Sequence, residues 1–483
     1  MSHSDRTRAH ATRRELLSRT GLGFGALAAS ALFGREVAAD EPTSALAVRP
    51  PKRPARARSV IYLHMAGSPP QLDLFDHKPE LTRLHGTLCP DSFLEGRRLA
   101  FIRGHPTLLG SPHPFRQAPS TGQWVSELMP HFTQVVDKVC MVHSMHTEQF
   151  NHAPAQLLLH TGRPGFDGAS MGAWATYGLG SPNADLPGYV VMISGDSDPS
   201  GGKTLWGSGF LPSAHQGVQL RSSGEAVLYV SDPAGMTRAT RRRSLDALRE
   251  LNQLEHARNG DPETLARIEQ YELAFRMQAS VPEAVELAAE SPETLELYGS
   301  QPGQSSFANH CLMARRLVER GVRFVQLYDY GWDIHGTGSG DDLLTQFPKK
   351  CGQVDRALAA LLIDLDRRGL LDETLVVWGG EFGRTSMNEK RGGSTYLGRD
   401  HHPDCFTMWM AGGGVKRGHR HGATDELGYT IAQDPVSVRD LQATILHQLG
   451  LDPFRLSFPF QGLDQRLIGP DDRAARVVHE LLA

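Results

Sequence analysis

Cysteine is scarce in this chain. Its 483 residues include five, Cys89, Cys140, Cys311, Cys351 and Cys405, and no two of them form a CxxC pair. A disulfide-stapled scaffold and a thiolate zinc site are thereby excluded. An excess of one charge is also missing: 50 basic residues face 54 acidic ones, a formal net charge of −4. That balance makes no electrostatic case for a nucleic-acid partner. The apolar run near the N-terminus, residues 20–33, falls short of the roughly 20 residues that cross a bilayer. No stable membrane insertion of the processed chain is expected. What is present, 40% hydrophobic and 22% charged residues, is the composition of a globular domain with a sizeable core. Histidine is the unusual residue, at 22 copies. Any metal here must be held by imidazole and carboxylate.

Residues 12–17 read TRRELL, with the pair Arg13 and Arg14 ahead of the Gly/Ala-rich run 20–33 and small residues at Val37 and Ala39. This is the order of a twin-arginine export signal over residues 1–39, cleaved before Asp40. It predicts a periplasmic or secreted protein that passes through the twin-arginine machinery already folded. Residues 40–58, rich in Pro, Ala and Arg, read as a linker to a domain over 59–483.

In the rest of the chain, short apolar runs alternate with helical patterns, the mark of an α/β layer fold. The runs SVIYLHM (59–65), VCMVHS (139–144), GYVVMI (188–193), RFVQLYDY (323–330), TLVVWGG (374–380) and FTMWMAGG (406–413) predict buried strands. Amphipathic helices are predicted over about 353–368, ended by Gly369, and over 438–449, with Ser437 as N-cap. A charged stretch at about 238–298 predicts a helical insertion. There Leu245, Leu248, Leu251 and Leu254 form the expected buried stripe, and the Asp261-Pro262 and Ser291-Pro292 pairs open new helices.

Acids and histidines collect just after the predicted strands, where open α/β sheets place their sites. Asp73 and Asp76 follow the first strand; Thr147, Asn151 and His152 follow the second. Asp333 and His335 follow RFVQLYDY, Glu381 follows TLVVWGG, and Asp400, His401 and His402 precede the final run. Glu381 stands at a buried strand end, where a charge needs a metal or an ion-pair partner such as Arg384 or Arg399. Adjacent His401 and His402 cannot easily face one point, so one ligates and the other supports it or touches substrate.

The segments MAGSPPQLDLFDHKPEL, NHAPAQLLLHTG, LLDETLVVWGGEFGRT, GRDHHPDCFTMWMAGGGV and VSVRDLQATILHQLGLDP resemble a twin-arginine-exported family of unknown function within the alkaline phosphatase and sulfatase-like superfamily, from about residue 60 to the C-terminal end. The resemblance implies a three-layer α/β/α sandwich with a mixed central sheet. It implies two divalent ions, one held by Asp333, His335 and His402, the other by Asp73 and Glu381, with Asp76 in reserve and His401 as the alternative last histidine. Phe382 stands where the superfamily carries a histidine, a loss that His152 or Asn151 could offset as ligand. His152 stands where sulfatases carry a modified Cys or Ser, so sulfatase chemistry of the ordinary kind is not expected.

These readings lead to an exported hydrolase of phosphate or sulfate esters that uses one or two divalent ions (Zn, Mn, Ca or Mg) and metal-activated water. His152 would serve as ligand, substrate contact or direct nucleophile, with Thr147 as the fallback hydroxyl and Asn151 beside them. The substrate would be a small anionic ester or a sulfated or phosphorylated polymer. The alternative is a non-catalytic metal- or anion-binding envelope protein that keeps the fold.

Overall fold

A computed structural model describes residues 44–483 apart from 97–98, 196, 223, 228–231, 233–234 and 471–474. The proposed export signal, Arg13 and Arg14 included, lies outside the described residues. Residues 45–483 form one compact unit.

Its centre is a nine-stranded mixed sheet: β1 (Ser59–Ala66), β2 (Val139–His146), β3 (Tyr189–Ser194), β4 (Val218–Gln219), β5 (Phe324–Tyr330), β6 (Thr374–Gly379), β7 (Phe406–Ala411), β8 (Arg420–His421) and β9 (Val436–Ser437). The order is β8-β2-β7-β6-β1-β5-β3-β4, with β9 also pairing with β2. β1 runs parallel to both β5 and β6, while β7 is antiparallel to β6 and β2. All six predicted strands are present.

Alternate residues of the strands enter opposite cores. Ile61, Leu63 and Met65 of β1 face the layer containing α5 (Phe307–Glu319) and α6 (Gln346–Arg367). Val60 and Tyr62 face the other layer, with α1 (His152–Thr161), α2 (Met171–Leu179) and α7 (Val438–Gln448). Because both faces are covered, the long central strands are rich in apolar residues on both sides. The result is the α/β/α sandwich with a mixed sheet.

Helix α6 begins at Gln346, ahead of the expected 353, because Phe347, Lys350 and Cys351 extend its buried face and Lys350 pairs with Asp329 of β5 at 2.7 Å. Ser437 caps α7 in a reciprocal box with Asp440. The 238–298 stretch is helical, as α3 (Arg238–Asn259), α4 (Pro262–Val285) and a short helix, Pro292–Tyr298. The leucine stripe is corrected, however: Leu245 is buried, but Leu248, Leu251 and Leu254 are 41%, 63% and 65% exposed. A spacing of three slips about 60° per step on a 3.6-residue helix, so the last leucine points away from the first. The insertion is anchored instead through Met277, Val281 and Ala284 of α4. The described part of the expected linker is hydrogen-bonded to the rest of the unit. Arg49, Arg53 and Ala57 donate backbone hydrogen bonds to Leu179, Gly450 and Gln448, and Arg53 pairs with Asp452 at 2.6 Å.

Among the described residues, no helix is long and apolar enough to cross a membrane.

Candidate metal centre

The carboxyl ends of β1, β2, β5 and β6 share one edge of the sheet, and antiparallel β7 begins there. The chain therefore delivers Gly67, His152, Asp333, His335 and Glu381 from strand ends and His401 from the entry to β7. His152 opens α1. His401 sits in a two-residue antiparallel ribbon, where it pairs with Arg384 while His402 pairs with Gly383. Gly67, at φ +104°, lets β1 approach the next loop closely: a Cβ there would stand 2.6 Å from the Asp333 backbone nitrogen.

His152, Asp333, His335 and His401 meet, each offering a ligand atom within 4.8 Å of the others. Asp333 Oδ1 lies 3.3 Å from His152 Nε2, 2.8 Å from His335 Nε2 and 3.4 Å from His401 Nε2, and also accepts from buried Arg384. Behind each imidazole stands an acceptor for its other nitrogen. His152 Nδ1 is 2.6 Å from Glu381 Oε1, His335 Nδ1 is 2.5 Å from Glu389 Oε2, and His401 Nδ1 is 2.8 Å from the Phe150 carbonyl. A neutral ring that donates from Nδ1 leaves an Nε2 lone pair facing the Asp333 carboxylate. Lone pairs aimed at a carboxylate oxygen repel unless a cation or a proton lies among them. His152 Nε2 is indeed buried without an aligned hydrogen-bond partner. The donor set fits a divalent ion that accepts nitrogen and oxygen, with outer carboxylates fixing the ring orientations.

The carboxylates favour positive charge at this point, whether a metal ion or a proton on His152. Burial would raise the Asp333 carboxyl pKa, but the Arg384 charge and the three imidazoles hold it far below the usual carboxylate range. Burial pushes His152 down, but the neighbouring Asp333 and Glu381 carboxylates carry it up to about 9. For His401 burial prevails, only partly offset by Asp333, and the ring falls to about 4. Phe101 stands edge-on to His335 and His401, and Phe382 packs on His152 and His401. The Asp333 side chain remains 35% exposed, so solvent reaches the cluster.

Three expected ligands take other places. Asp73 is fully buried against Arg399, at 2.7 and 3.1 Å, which satisfies its charge away from the cluster. Asp76, its reserve, pairs with Lys78 and Thr424. His402 turns away because neighbours in an extended ribbon face opposite sides; its Nε2 is 2.7 Å from the Tyr429 carbonyl and its ring stacks on Tyr429. Glu381 stands behind His152, outside the cluster: its Oε1 accepts from His152, Gln156 (3.0 Å) and the Gly67 amide (3.1 Å). Its partner is thus a histidine, and neither expected arginine. The Thr147 hydroxyl is buried without a partner, and Asn151 is an exposed N-cap position whose side chain makes no capping bond. Glu389 and the Phe150 carbonyl were not anticipated. Glu389 lies in the polar run TSMNEKRGG, which reads as a solvated loop, and a carbonyl carries no sequence signal at all.

The sequence matches the family described as "Protein of unknown function (DUF1501)" over residues 57–482. The chain belongs to the DUF1501 family. No curated protein matches it. Among solved structures, this DUF1501 chain is similar to the lipoteichoic acid synthase LtaP from Listeria monocytogenes (10% identity, 88% of this chain, 78% of that one, TM-score 0.37). It is similar to the PsFucS1 sulfatase from Pseudoalteromonas sp. (14% identity, 87% and 74%, TM-score 0.35) and to the TAB5 alkaline phosphatase (10%, 77% and 96%, TM-score 0.31). These likenesses are low, and the chemistry of the site rests on the chain's own residues.

Proposed function

We propose that this DUF1501 protein is an exported, metal-dependent hydrolase of phosphate or sulfate esters. The observation that carries the reading is the convergence of three Nδ1-tethered imidazoles on Asp333 at a solvent-reachable sheet edge. His152, His335, His401 and Asp333 would hold a divalent ion. Such an ion supplies positive charge for an ester oxyanion and lowers the pKa of water to about 7.

The chain's own groups do the rest. Glu381, Glu389 and the Phe150 carbonyl keep the ring protons on Nδ1, so the Nε2 lone pairs stay aimed inward. Arg384, buried and bonded also to the Gly67, Ser68 and Arg399 carbonyls, fixes Asp333 and holds it ionised. With His152 used as a ligand and Thr147 buried, the start of α1 offers no hydroxyl or thiol nucleophile. That supports water as the attacking group. Export rests on the Arg13-Arg14 pattern, and the substrate class, a small ester or an anionic polymer, on the charge such a site neutralises.

Phe382 in the place of a histidine favours the second reading, a metal- or anion-binding envelope protein without turnover. Aryl phosphate monoesters, phosphodiesters and aryl sulfates, assayed with and without chelator and with His335→Ala as control, separate the two. Chelator-sensitive turnover of one class is expected. Metal binding with no turnover on any class would leave the binding reading.

A further inference from the structure

We propose that His64 is a positioning residue for the metal centre, acting through Glu381 on His152; this rests on the metal-site reading above. His64 lies on β1 and is fully buried. Its Nε2 stands 3.3 Å from Glu381 Oε2, the carboxylate oxygen that no hydrogen bond reaches. Glu381 Oε1 is fully used by Gly67, His152 and Gln156. The carboxylate is therefore gripped from two sides: three donors fix one oxygen, and His64 confronts the other. Rotation of the carboxylate would withdraw Oε1 from His152 Nδ1 and release the ring whose Nε2 faces Asp333.

Apart from Glu381, His64 meets aromatic rings. Neither ring nitrogen has an aligned hydrogen-bond partner. The ring lies edge-on to His160 at 4.7 Å and to Tyr328 at 5.4 Å, and His160 is itself bonded to Gln326 at 2.8 Å. Among the described residues, the carboxylate that His64 confronts is Glu381. Partners behind a metal-ligating histidine typically change metal affinity 10- to 100-fold (about tenfold at the low end) when removed.

The test compares the full chain with His64→Phe and His64→Gln. Zinc affinity is measured by competition with a chromophoric chelator, the ligand field by the visible spectrum of the cobalt(II)-loaded protein, and the fold by the melting temperature of the metal-free protein. His64→Phe is expected to bind zinc about tenfold more weakly and to shift the cobalt bands, beyond what any fall in its melting temperature explains. His64→Gln, which restores a polar group toward Glu381, should recover part of the affinity. Unchanged affinity and spectrum in both variants would overturn the proposal, as would a loss of affinity that merely tracks a fall in melting temperature in both. Wild type that binds neither zinc nor cobalt would overturn the metal-site reading itself. Wild-type binding that His64→Phe leaves untouched would overturn this inference alone.

Discussion

Asp73 was expected to hold a metal and instead lies in a closed ion pair, and the two roles predict opposite behaviour of Asp73→Asn. Asp73 and Arg399 are both fully buried, and the guanidinium meets the carboxylate through Nε at 2.7 Å and a terminal nitrogen at 3.1 Å. The remaining Arg399 donor is committed to the Leu109 and Thr385 carbonyls, so the arginine cannot swing out to solvent without breaking those bonds too. Removing one member of such a pair strands a buried charge, at roughly 3–5 kcal/mol. For a unit spanning residues 45–483, the unfolding entropy is about 0.9 kcal/mol/K at the usual per-residue value. Asp73→Asn should therefore lower the melting temperature of the metal-free protein by about 3–5 °C and leave metal stoichiometry unchanged. Differential scanning calorimetry at a fixed scan rate, with and without chelator, measures the first quantity, and equilibrium dialysis against zinc the second. A variant that melts like wild type but has lost its metal would refute the assignment and return Asp73 to the ligand set.

Glu389→Gln should weaken zinc binding about 10- to 100-fold without abolishing it, because Glu389 orients His335 from behind; the chelator competition that reads His64 reads this too. Gly67→Ala should lower stability by at least about 1 kcal/mol in urea unfolding, since φ +104° strains any side chain and the new Cβ would press on the Asp333 backbone; an unaltered midpoint would contradict the close approach. Acid should destabilise the fold through histidines outside the metal centre. Burial, the largest influence on each, lowers His143, His215 and His310 from 6.5 to about 4. The unfolded chain therefore takes up protons near pH 6.5 that the folded chain refuses until about pH 4. Stability from these rings is complete above 6.5 and is lost as pH falls toward 4, by at most about 3 kcal/mol each at 1.36 kcal/mol per pH unit. Urea unfolding at pH 7 and pH 4.5 checks it, and equal stabilities would contradict it.

The strands were legible because a sheet buried on both faces leaves little room for polar residues, so β1 reads as the run VIYLHMA. Asp333, His335 and Glu381 were legible for a related reason: acids and histidines placed right after such runs must sit at the sheet edge. The pairing of charges was not. Glu381 at a buried strand end rightly demanded a partner, but the arginines nearest in sequence, Arg384 and Arg399, reach Asp333 and Asp73 instead. Their partners lie far away in the chain and are set by the crossovers between strands. The choice between His401 and His402 needed the direction of the ribbon, which two adjacent histidines do not encode. His152 could be placed at the start of a helix, but the ligand role proposed for it depends on Glu381 behind it. The leucines of α3 show the opposite failure: a regular spacing of three suggested a buried face that the helical period does not sustain.

The central claim is that His152, Asp333, His335 and His401 bind one divalent ion. Equilibrium dialysis of the metal-stripped chain against zinc, followed by elemental analysis, tests it most directly. The account predicts about one ion per chain in wild type and none retained in His335→Ala at the same free zinc, with Asp73→Asn still loaded. A folded wild-type chain that takes up no zinc, or a His335→Ala variant that binds as wild type does, would contradict it.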